Sequence, residues 1–502
     1  MTTSKSALPP QPLAAIDIGS NSFRLEIAQV EQGRYRRIDY LKESVRLGAG
    51  LDSNGFLGAE AAERGLRCLR GFASRLAGFD AVRVRAVATQ TLREARNRDD
   101  FLLRAQAALG HPVEVISGRE EARLIFAGVA RLQPSAEPRL VIDIGGRSTE
   151  MIVGVGTTPL AAESFGVGCV SLSMRFFGEG RYSAEAFRLA QVAAGAEFEE
   201  ALETFSPTRW SEALGSSGTA GAVSQVLQAA GVTDGSITPA ALQWCIARCI
   251  EAGRADKLKL PGLKGDRVPV IPGGLAILSA LMAQFGIEQM TPARGALRQG
   301  VIFDLDERLD ARRRHAPGDL REATVTELQS RFSVDTLQAE RVRTVALALY
   351  DRACPDADED MRQELVWACA LHETGLMVSH HDHHRHSAYL VSNADAPGFS
   401  QSLQRRIGEL ILGQRGGLRK VEAAFARDGF AWQLLCLRLA VIKCHARGPV
   451  DGSALTLRGK GSSALLGHDT AWAQSHPRTV YLLREEADAW RRGGPLQLTL
   501  PG

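Results

Sequence analysis

Residues 140–150 read Leu140-Val-Ile-Asp143-Ile-Gly145-Gly146-Arg147-Ser148-Thr149-Glu150, and the predicted fold is built outward from this segment. Its first three residues indicate a buried strand, and an apolar run resumes at Met151 after the glycine turn. Glycines leave room for backbone N–H groups to face an anion, and the hydroxyls of Ser148 and Thr149 add donors. We therefore expect a strand–turn–strand element that binds a phosphate group.

Carboxylates stand on either side of this turn, at Asp143 and Glu150. Carboxylate oxygens are hard ligands, and proteins commonly hold Mg²⁺ through one or two of them while phosphate oxygens supply the rest. The pattern therefore predicts a magnesium ion beside the bound phosphate.

A second copy of the pattern, Ala15-Ile-Asp17-Ile-Gly19-Ser20-Asn21-Ser22, lies 126 positions upstream, counted from Asp17 to Asp143. Two matching loops in successive halves of one chain predict two similar lobes that face each other across a cleft. One loop from each lobe would then hold the same phosphate group. An apolar strand that ends in a glycine turn explains either copy alone, but it explains the pair less well.

The length of 502 residues, with 45% hydrophobic and 23% charged residues, predicts three or four globular domains. The formal net charge of +3 is too small to indicate a nucleic-acid partner. No apolar run reaches the length of about 18 residues that a membrane-spanning helix needs, and residues 1–12 lack the apolar core of a signal peptide. The eight cysteines are scattered, which favours free thiols in a reducing cytoplasm.

Two further candidates follow predicted strands of the first lobe. Arg93 comes just past a strand at 82–88, and ligands of α/β sheets bind beyond the carboxyl ends of strands, so we expect Arg93 to contact phosphate. Ser117 and Glu120 form the pattern of a capping box at the start of the next helix. Glu121 is not needed for that cap, and it serves either the helix dipole alone or the chemistry of the cleft.

A third glycine turn carries Gly218 and Thr219 after another strand of the second lobe. It either faces the same phosphate or forms a simple strand-to-helix turn.

The C-terminal part of the chain differs in character. A charged, arginine-rich segment at 304–317 indicates a linker. The pattern beyond it predicts helices at about 320–332, 335–353 and 358–373, and short strands at 455–457, 479–483 and 496–500. A histidine-rich segment at 372–386 is either a structural metal site or an exposed, anion-binding patch, and Leu376 breaks the HExxH pattern there.

With these motifs assembled, the chain resembles the exopolyphosphatase and guanosine pentaphosphate phosphohydrolase family, a branch of the actin, Hsp70 and sugar-kinase superfamily. The segments that carry the resemblance are the two IDIG loops and residues 88–93, 116–124, 215–219, 371–375 and 385–389.

The resemblance implies an α/β fold with two actin-like, ribonuclease H-like lobes, followed by a mostly helical HD-like region and a small C-terminal sheet. The implied domains are lobe one at 12–136, lobe two at 137–305, an HD-like domain at 316–405 and an α+β domain at 406–502. It also implies a soluble, cytoplasmic homodimer.

The same resemblance assigns roles to residues. It implies Glu121 as the catalytic glutamate, Asp143 and Glu150 as metal-associated carboxylates for Mg²⁺ or Mn²⁺, and Arg93 as a phosphate contact. The other residues expected to contact phosphate are Gly19, Ser20, Asn21, Ser22, Gly145, Gly146, Arg147, Ser148, Gly218 and Thr219.

Two positions depart from the family's pattern. Arg147 stands where a third glycine is usual; turned inward it would add a phosphate contact, and turned outward it would only constrain the backbone. His372-Glu373 replaces His-Asp, so the resemblance implies an HD-like fold but does not imply a second metal-dependent active site.

The function predicted from these residues is magnesium-dependent, processive removal of terminal phosphate from inorganic polyphosphate, without nucleic-acid or integral membrane contact. The alternatives are removal of the 5′ phosphate of guanosine pentaphosphate, an actin-fold kinase or ATPase, and a non-catalytic polyphosphate or alarmone sensor. Residues expected to guide the polyanion are Arg24, Arg46, Arg267, His380, Arg385 and His386.

Overall fold

The computed structural model describes residues 11–314, 319–448 and 454–500. The chain divides into two compact units, Met1–Pro317 and Gly318–Gly502. Within the described ranges, every helix is too short or too polar to cross a lipid bilayer. All eight cysteines are free thiols, and seven of them are buried, as their scattered spacing predicted.

The first unit contains two five-stranded sheets with the same topology. Sheet one consists of β1 Leu13–Ile18, β2 Phe23–Glu31, β3 Arg34–Glu43, β4 Val84–Ala88 and β5 Val113–Val115. Sheet two consists of β6 Arg139–Ile144, β7 Thr149–Val155, β8 Thr158–Phe165, β9 Glu212–Ser216 and β10 Met290–Pro292.

In each sheet an antiparallel meander of three strands is extended by two parallel strands. The strand orders are β3-β2-β1-β4-β5 and β8-β7-β6-β9-β10. The central strands β1 and β6 are buried along their whole length, as their apolar sequences require. The prediction of two similar lobes is confirmed.

Ten helices accompany these sheets in the described part of the first unit. They are α1 Ala59–Arg75, α2 Gln90–Glu94, α3 Arg98–Leu109, α4 Gly118–Leu132, α5 Cys169–Phe177, α6 Ala184–Phe198, α7 Ser217–Ala229, α8 Pro239–Ala252, α9 Ile271–Gln284 and α10 Leu297–Arg314.

Helices α4 and α10 lie between the two sheets, and their core joins the lobes. Ala15 of β1, Phe126 of α4, Val141 of β6 and Val301 of α10 belong to one buried apolar cluster. The outer faces of the sheets have separate cores, formed with α1 and α3 on sheet one and with α5 to α9 on sheet two. This arrangement brings the carboxyl ends of β1, β4, β6 and β9 toward one cleft.

Helix α4 begins at the predicted cap. The Ser117 hydroxyl accepts a hydrogen bond from the Glu120 N–H at 3.1 Å, which satisfies one donor of the first turn. The Glu120 carboxylate is bonded to Arg123 at 2.7 Å. Ser117 therefore fixes where the helix starts, and Glu121 follows in its first turn.

The predicted linker at 304–317 is wrong for residues 304–314, which form the second half of α10. Asp304 is buried and accepts hydrogen bonds from Arg85 at 2.6 Å and from Arg123 at 2.5 Å. The charges that suggested a solvated linker are instead paired between helices and sheet. Residues 315–317 lie outside the described residues.

The second unit is mostly helical with a three-stranded sheet, as expected. Its helices are α11 Leu320–Arg331, α12 Thr336–Ala353, α13 Glu359–Leu371, α14 His383–Asn393, α15 Gln401–Gly413, α16 Phe430–Lys443, α17 Thr470–Ser475 and α18 Pro477–Gly493. Its strands are β11 Leu455–Lys460, β12 Ser463–His468 and β13 Gln497–Thr499, in the order β11-β12-β13.

Two sequence-based expectations for this unit differ from the structure. The strand predicted at 479–483 is wrong, because these residues belong to α18, which starts at Pro477 and buries Leu483 and Trp490 on one face. Helix α15 runs through the boundary expected between residues 405 and 406, and one apolar core contains residues from both sides of it.

Candidate active site

The two glycine loops of the first unit meet across a cleft of about 630 Å³, part of which is open to solvent. A Cβ atom at Gly146 would lie 3.0 Å from Ser20 Cβ and 3.3 Å from the Asn21 backbone nitrogen. One at Gly168 would lie 2.4 Å from the Arg147 nitrogen. The loops approach this closely because glycine carries no Cβ.

The structure brings most of the predicted site residues of the first unit into this cleft. Those that line it are Gly19, Ser20, Asn21, Ser22, Arg24, Glu121, Asp143, Gly145, Gly146, Ser148, Gly218 and Arg267. Their roles remain predictions, but the meeting of loops from both lobes is the arrangement that the repeated sequence indicated.

Glu121 lies in the first turn of α4 with its carboxylate in the cleft. Its Oε2 accepts a hydrogen bond from Arg93 Nη1 at 2.7 Å. Burial raises the pKa of Glu121 to about 7, against the lowering effect of Arg93, and the neighbouring Asp143 carboxylate adds to the increase. A carboxylate with this pKa can take a proton from water near neutral pH.

Arg93 does not line the cleft, although it is bonded to Glu121, which does. Its Nη1 also donates to the Ile116 carbonyl at 3.0 Å, and its Nη2 donates to Gln90 Oε1 at 2.6 Å. The geometry therefore shows Arg93 holding Glu121, and the expected direct contact with phosphate stays a prediction.

Asp143 and Glu150 are cross-strand partners on β6 and β7. Oε1 of Glu150 accepts a hydrogen bond from Ser164 at 2.8 Å, whereas its buried Oε2 has no hydrogen-bond partner among the described residues. Burial raises the pKa of Asp143. Burial, followed by the charge of Glu121, raises the pKa of Glu150 well above its usual value.

These two carboxylates fit a hard divalent cation. Arg24 lowers the pKa of Asp143 and Arg93 lowers that of Glu150, but in each case burial outweighs the arginine, and among the described residues the ion pairs of these arginines are with Asp17 and Glu121. A buried carboxylate without an ion-pair partner is strongly destabilised in its ionised form unless another positive charge compensates it. A bound Mg²⁺ or Mn²⁺ would supply that charge and use the unpartnered oxygen of Glu150. Among the described residues, there is no group of three or more His, Cys, Asp or Glu side chains that could hold a metal ion.

Asp17 is a cleft residue to which the sequence analysis gave no role, although the repeated IDIG pattern marks it as the counterpart of Asp143. Its Oδ2 lies 3.4 Å from Arg24 Nη1 and 3.9 Å from Arg298 Nη1. Two arginines therefore compensate the charge of Asp17. This difference explains why the cation is expected near Asp143 and not near its equivalent in the first lobe.

Two polar groups on the wall of the cleft have no partner in the described ranges. The Ser22 hydroxyl and Arg24 Nε are buried, and neither makes a hydrogen bond to a described residue. Buried donors without acceptors are costly. A phosphate oxygen in the cleft would satisfy them, which fits the predicted chemistry of the loop at residues 19–22.

Two further basic residues, Lys42 and Arg267, lie close together, and Arg267 lines the cleft. Lys42 Nζ lies 3.5 Å from Asp266 Oδ2 across the two lobes, and burial, with Arg267 nearby, lowers the pKa of Lys42. A Cβ at Gly218 would lie 1.8 Å from Arg267 Nη2, so this guanidinium rests directly on the third glycine turn. Lys42 and Arg267 therefore place positive charge beside the loops.

Five predicted residues of the first unit do not line the cleft: Arg93 and Glu150, described above, and Thr219, Arg46 and Arg147. Thr219 donates to the Ile144 carbonyl at 3.0 Å and stabilises the third turn. Arg46 is exposed, and its backbone N–H donates to the Asn21 carbonyl at 2.9 Å. Arg147 is bonded to Glu94 and to the Gly48 carbonyl, so it contacts the first lobe and not the space between the loops.

The histidine-rich segment lies in the second unit. His380 and Arg385 are exposed, and His386 is half-buried. His372 is buried beside Glu373, whose carboxylate is bonded to Arg447 at 2.6 Å. The arginine therefore compensates the charge of Glu373.

Models of one protein family match both units of the chain. A model of the Ppx/GppA phosphatase family matches residues 26–309, and a model of Ppx/GppA phosphatase domain III matches residues 320–487. The chain is similar to a solved exopolyphosphatase-like protein at 26% identity and a TM-score of 0.54, covering 60% of this chain and 99% of that one.

Two further solved structures share the fold. An exopolyphosphatase from Cytophaga hutchinsonii is 24% identical with a TM-score of 0.54, covering 59% of this chain and 98% of that one. The PPX-GPPA enzyme of Aquifex aeolicus is 25% identical with a TM-score of 0.50, covering 60% and 100%. Since the family models match most of both units, the chain belongs to the Ppx/GppA phosphatase family.

Proposed function

We propose that this phosphatase is an exopolyphosphatase that removes the terminal phosphate of inorganic polyphosphate. The proposal is carried by one observation: Glu121, with a pKa near 7, lies in the same cleft as two facing glycine loops. Family membership supports hydrolysis of a phosphoanhydride bond, and the choice of polyphosphate is ours.

In the proposed reaction, the terminal phosphoryl group lies between residues 19–22 and residues 145–148. Their backbone N–H groups and hydroxyls bind its oxygens, and stabilise the charge of the transition state. Glu121 orients a water molecule and takes its proton as the water oxygen bonds to phosphorus. The bond from phosphorus to the bridging oxygen breaks, orthophosphate leaves, and the shortened chain keeps the electron pair of that bridge.

Asp143 and Glu150 are the residues that would hold a divalent cation, which we propose to be Mg²⁺, with Mn²⁺ as the alternative. When bound, such a cation neutralises charge on the phosphate oxygens. The two carboxylates are buried, which raises the pKa of both, and a bound cation would stabilise their ionised forms.

The phosphates that follow the terminal one would contact the basic side chains along the cleft. Arg24 offers an Nε without a described partner, and Arg267 and Lys42 lie beside the third turn. Binding of a polyanion by these groups should weaken as salt rises, since it releases counterions. Arg46 is a weaker candidate because it is exposed.

Guanosine pentaphosphate is the alternative substrate, because the family resemblance implies both activities. Phosphate release from long polyphosphate, guanosine pentaphosphate and ATP, measured side by side with Mg²⁺, separates the possibilities. We expect the highest kcat/KM on long polyphosphate. A higher value on guanosine pentaphosphate would select that activity, transfer of phosphate from ATP to a sugar would indicate a kinase, and binding without turnover would indicate a sensor.

We further propose that His380, Arg385 and His386 of the second unit bind the remainder of a long chain. Replacing all three by alanine should shorten the processive run on long polyphosphate and spare the cleavage of short polyphosphates. Equal losses on long and short chains would contradict this guiding role. Whether the protein is a homodimer, as the resemblance implies, can be checked by sedimentation of the same preparation.

A further inference from the structure

The side chain of Arg147 joins the two lobes beside the phosphate loops. Arg147 belongs to the loop of the second lobe, yet its Nε and Nη2 donate to Glu94 Oε2 in α2 of the first lobe, at 3.0 and 2.7 Å. Its Nη1 donates to the Gly48 carbonyl at 3.1 Å. All three nitrogens therefore bind the first lobe.

The hydrogen bonds of Glu94 continue toward the catalytic glutamate. Glu94 Oε1 accepts from Gln90 Nε2 at 2.7 Å. Gln90 Oε1 accepts from Arg93 Nε at 2.9 Å and from Arg93 Nη2 at 2.6 Å. Arg93 Nη1 then donates to Glu121 Oε2 at 2.7 Å. An unbroken hydrogen-bonded chain thus runs from Arg147 to Glu121.

The local structure shows how these hydrogen bonds can orient the side chain of Glu121. Helix α2 has only five residues, so its own backbone bonds fix its side chains weakly. Oε1 of Glu94 binds Gln90 and Oε2 binds Arg147, so Glu94 connects these two side chains. The Gln90 amide has one orientation that satisfies both neighbours, since its N–H₂ faces a carboxylate and its oxygen faces a guanidinium. Arg93 has a second anchor in the Ile116 carbonyl at 3.0 Å.

We propose that Arg147 is a positioning residue that couples the approach of the two phosphate loops to the orientation of Glu121. When the second-lobe loop closes on the first lobe, Arg147 fixes Glu94. Gln90 and Arg93 then hold the Glu121 carboxylate toward the water it activates. This inference rests on the proposed catalytic role of Glu121, and it replaces the expectation that Arg147 contacts phosphate.

The two roles of Arg147 predict different kinetics. If Arg147 bound phosphate directly, its substitution should raise KM, and changes at Glu94 or Gln90 should not reproduce that effect. A positioning role should lower kcat with little change in KM, because the substrate still binds but Glu121 is misplaced. Substitutions at Arg147, Glu94 and Gln90 should then have the same signature.

The test compares Arg147→Ala, Glu94→Gln, Gln90→Ala and the Arg147→Ala/Glu94→Gln double variant in the full-length protein. Long polyphosphate and guanosine pentaphosphate are both assayed, and the better wild-type substrate is used. We expect each single variant to lower kcat about tenfold, a typical size for one coupled network, with KM within about twofold. The double variant should be no slower than the slower single variant, because both break the same chain.

Conservative and distant variants serve as controls. Arg147→Lys should recover part of kcat, because lysine keeps the charge but cannot bind Glu94 and Gly48 together. Arg188→Ala removes a comparable ion pair, 2.8 Å from Glu185 on the surface of α6, and should leave kcat unchanged. Thermal unfolding of every variant checks that the fold persists.

Three results would overturn the inference. They are a raised KM for Arg147→Ala with unchanged kcat, multiplied defects in the double variant, or normal kcat in Gln90→Ala. Failure of the proposed function is distinguishable: the wild-type protein would then prefer guanosine pentaphosphate, on which the same variants are compared, or would release phosphate from neither substrate. If neither substrate is hydrolysed, the coupling between Arg147 and Glu94 is measured from the melting temperatures of the single and double variants. Additive decreases in melting temperature would refute the coupling.

Discussion

Replacing Glu121 by glutamine tests the centre of the proposed mechanism. Glutamine has nearly the same shape, and its side-chain oxygen can still accept the 2.7 Å hydrogen bond from Arg93. The change therefore removes the ability to take a proton while it keeps the geometry of the cleft. We expect kcat to fall by roughly 10² to 10⁴-fold, the usual contribution of a general base, with KM within a few-fold of wild type.

The size of the defect should depend on pH in a way that the structure sets. Because burial raises the pKa of Glu121 to about 7, about nine tenths of the wild-type protein carries the ionised base at pH 8 and about one tenth at pH 6. Wild-type kcat should therefore fall about tenfold between these values, whereas the glutamine variant has no such group. The ratio of wild-type to variant kcat should be about tenfold smaller at pH 6.

The assay is release of orthophosphate from polyphosphate at saturating substrate and Mg²⁺, from pH 5.5 to 8.5. A bound cation lowers the pKa of a nearby carboxylate, so the midpoint of the wild-type profile should lie at or below pH 7, and the tenfold fall between pH 8 and pH 6 is the largest expected. Glu185→Gln breaks an exposed ion pair of 2.8 Å on α6 and is the matched control. A Glu121→Gln variant with kcat within about threefold of wild type at pH 8 would refute the assignment of the base.

Three further predictions concern the metal, the loops and the helix between the lobes. Burial raises the pKa of Glu150 in the folded state, so this carboxyl group binds its proton more tightly there than in the unfolded chain, and without metal its contribution to stability should fall as pH rises above about 4.5. Mg²⁺ should accordingly raise Tm more at pH 8 than at pH 5, and Glu150→Gln should reduce that increase in thermal-shift measurements. Gly168→Ala places a Cβ 2.4 Å from the Arg147 nitrogen and should lower kcat/KM about tenfold or more; Gly166→Ala, where a Cβ meets no described atom within 4 Å, should not. Gly300→Ala places a Cβ 1.7 Å from the Leu124 carbonyl oxygen and should lower the free energy of unfolding by about 1–3 kcal/mol in denaturant titrations, and an unchanged midpoint would contradict the tight packing of α10 on α4.

Much of the fold was predictable because its signals are local. About six to eight consecutive residues are enough to indicate a buried strand followed by a glycine turn. The repetition of this pattern at Asp17 and Asp143 indicated two lobes without any knowledge of distant contacts. The cap at Ser117 likewise fixed the start of α4 and placed Glu121 in its first turn.

Charged residues were less predictable, because the partner decides whether a charge is solvated or buried. The segment at 304–314 looked like a linker, yet Asp304 pairs with Arg85 and Arg123 from other elements. The run at 479–483 looked like a strand, yet it forms part of α18, in which Val480 and Leu483 are buried and Tyr481 is exposed. The composition of a short segment does not show which residues from other elements will contact it in the fold.

The sequence by itself determined the two glycine loops, the acidic residues near them and the family, since these depend on the order of neighbouring residues. Only the tertiary structure decided how charge is shared among those acids. Asp17 and Asp143 occupy equivalent positions, and the residue opposite each on the next strand is Arg24 for Asp17 but Glu150 for Asp143. Arg298 of α10, which lies far along the chain, also approaches Asp17. Arg147 meets Glu94 for the same reason: electrostatic partners are selected by distance in space, and folding brings together residues that lie far apart in the chain.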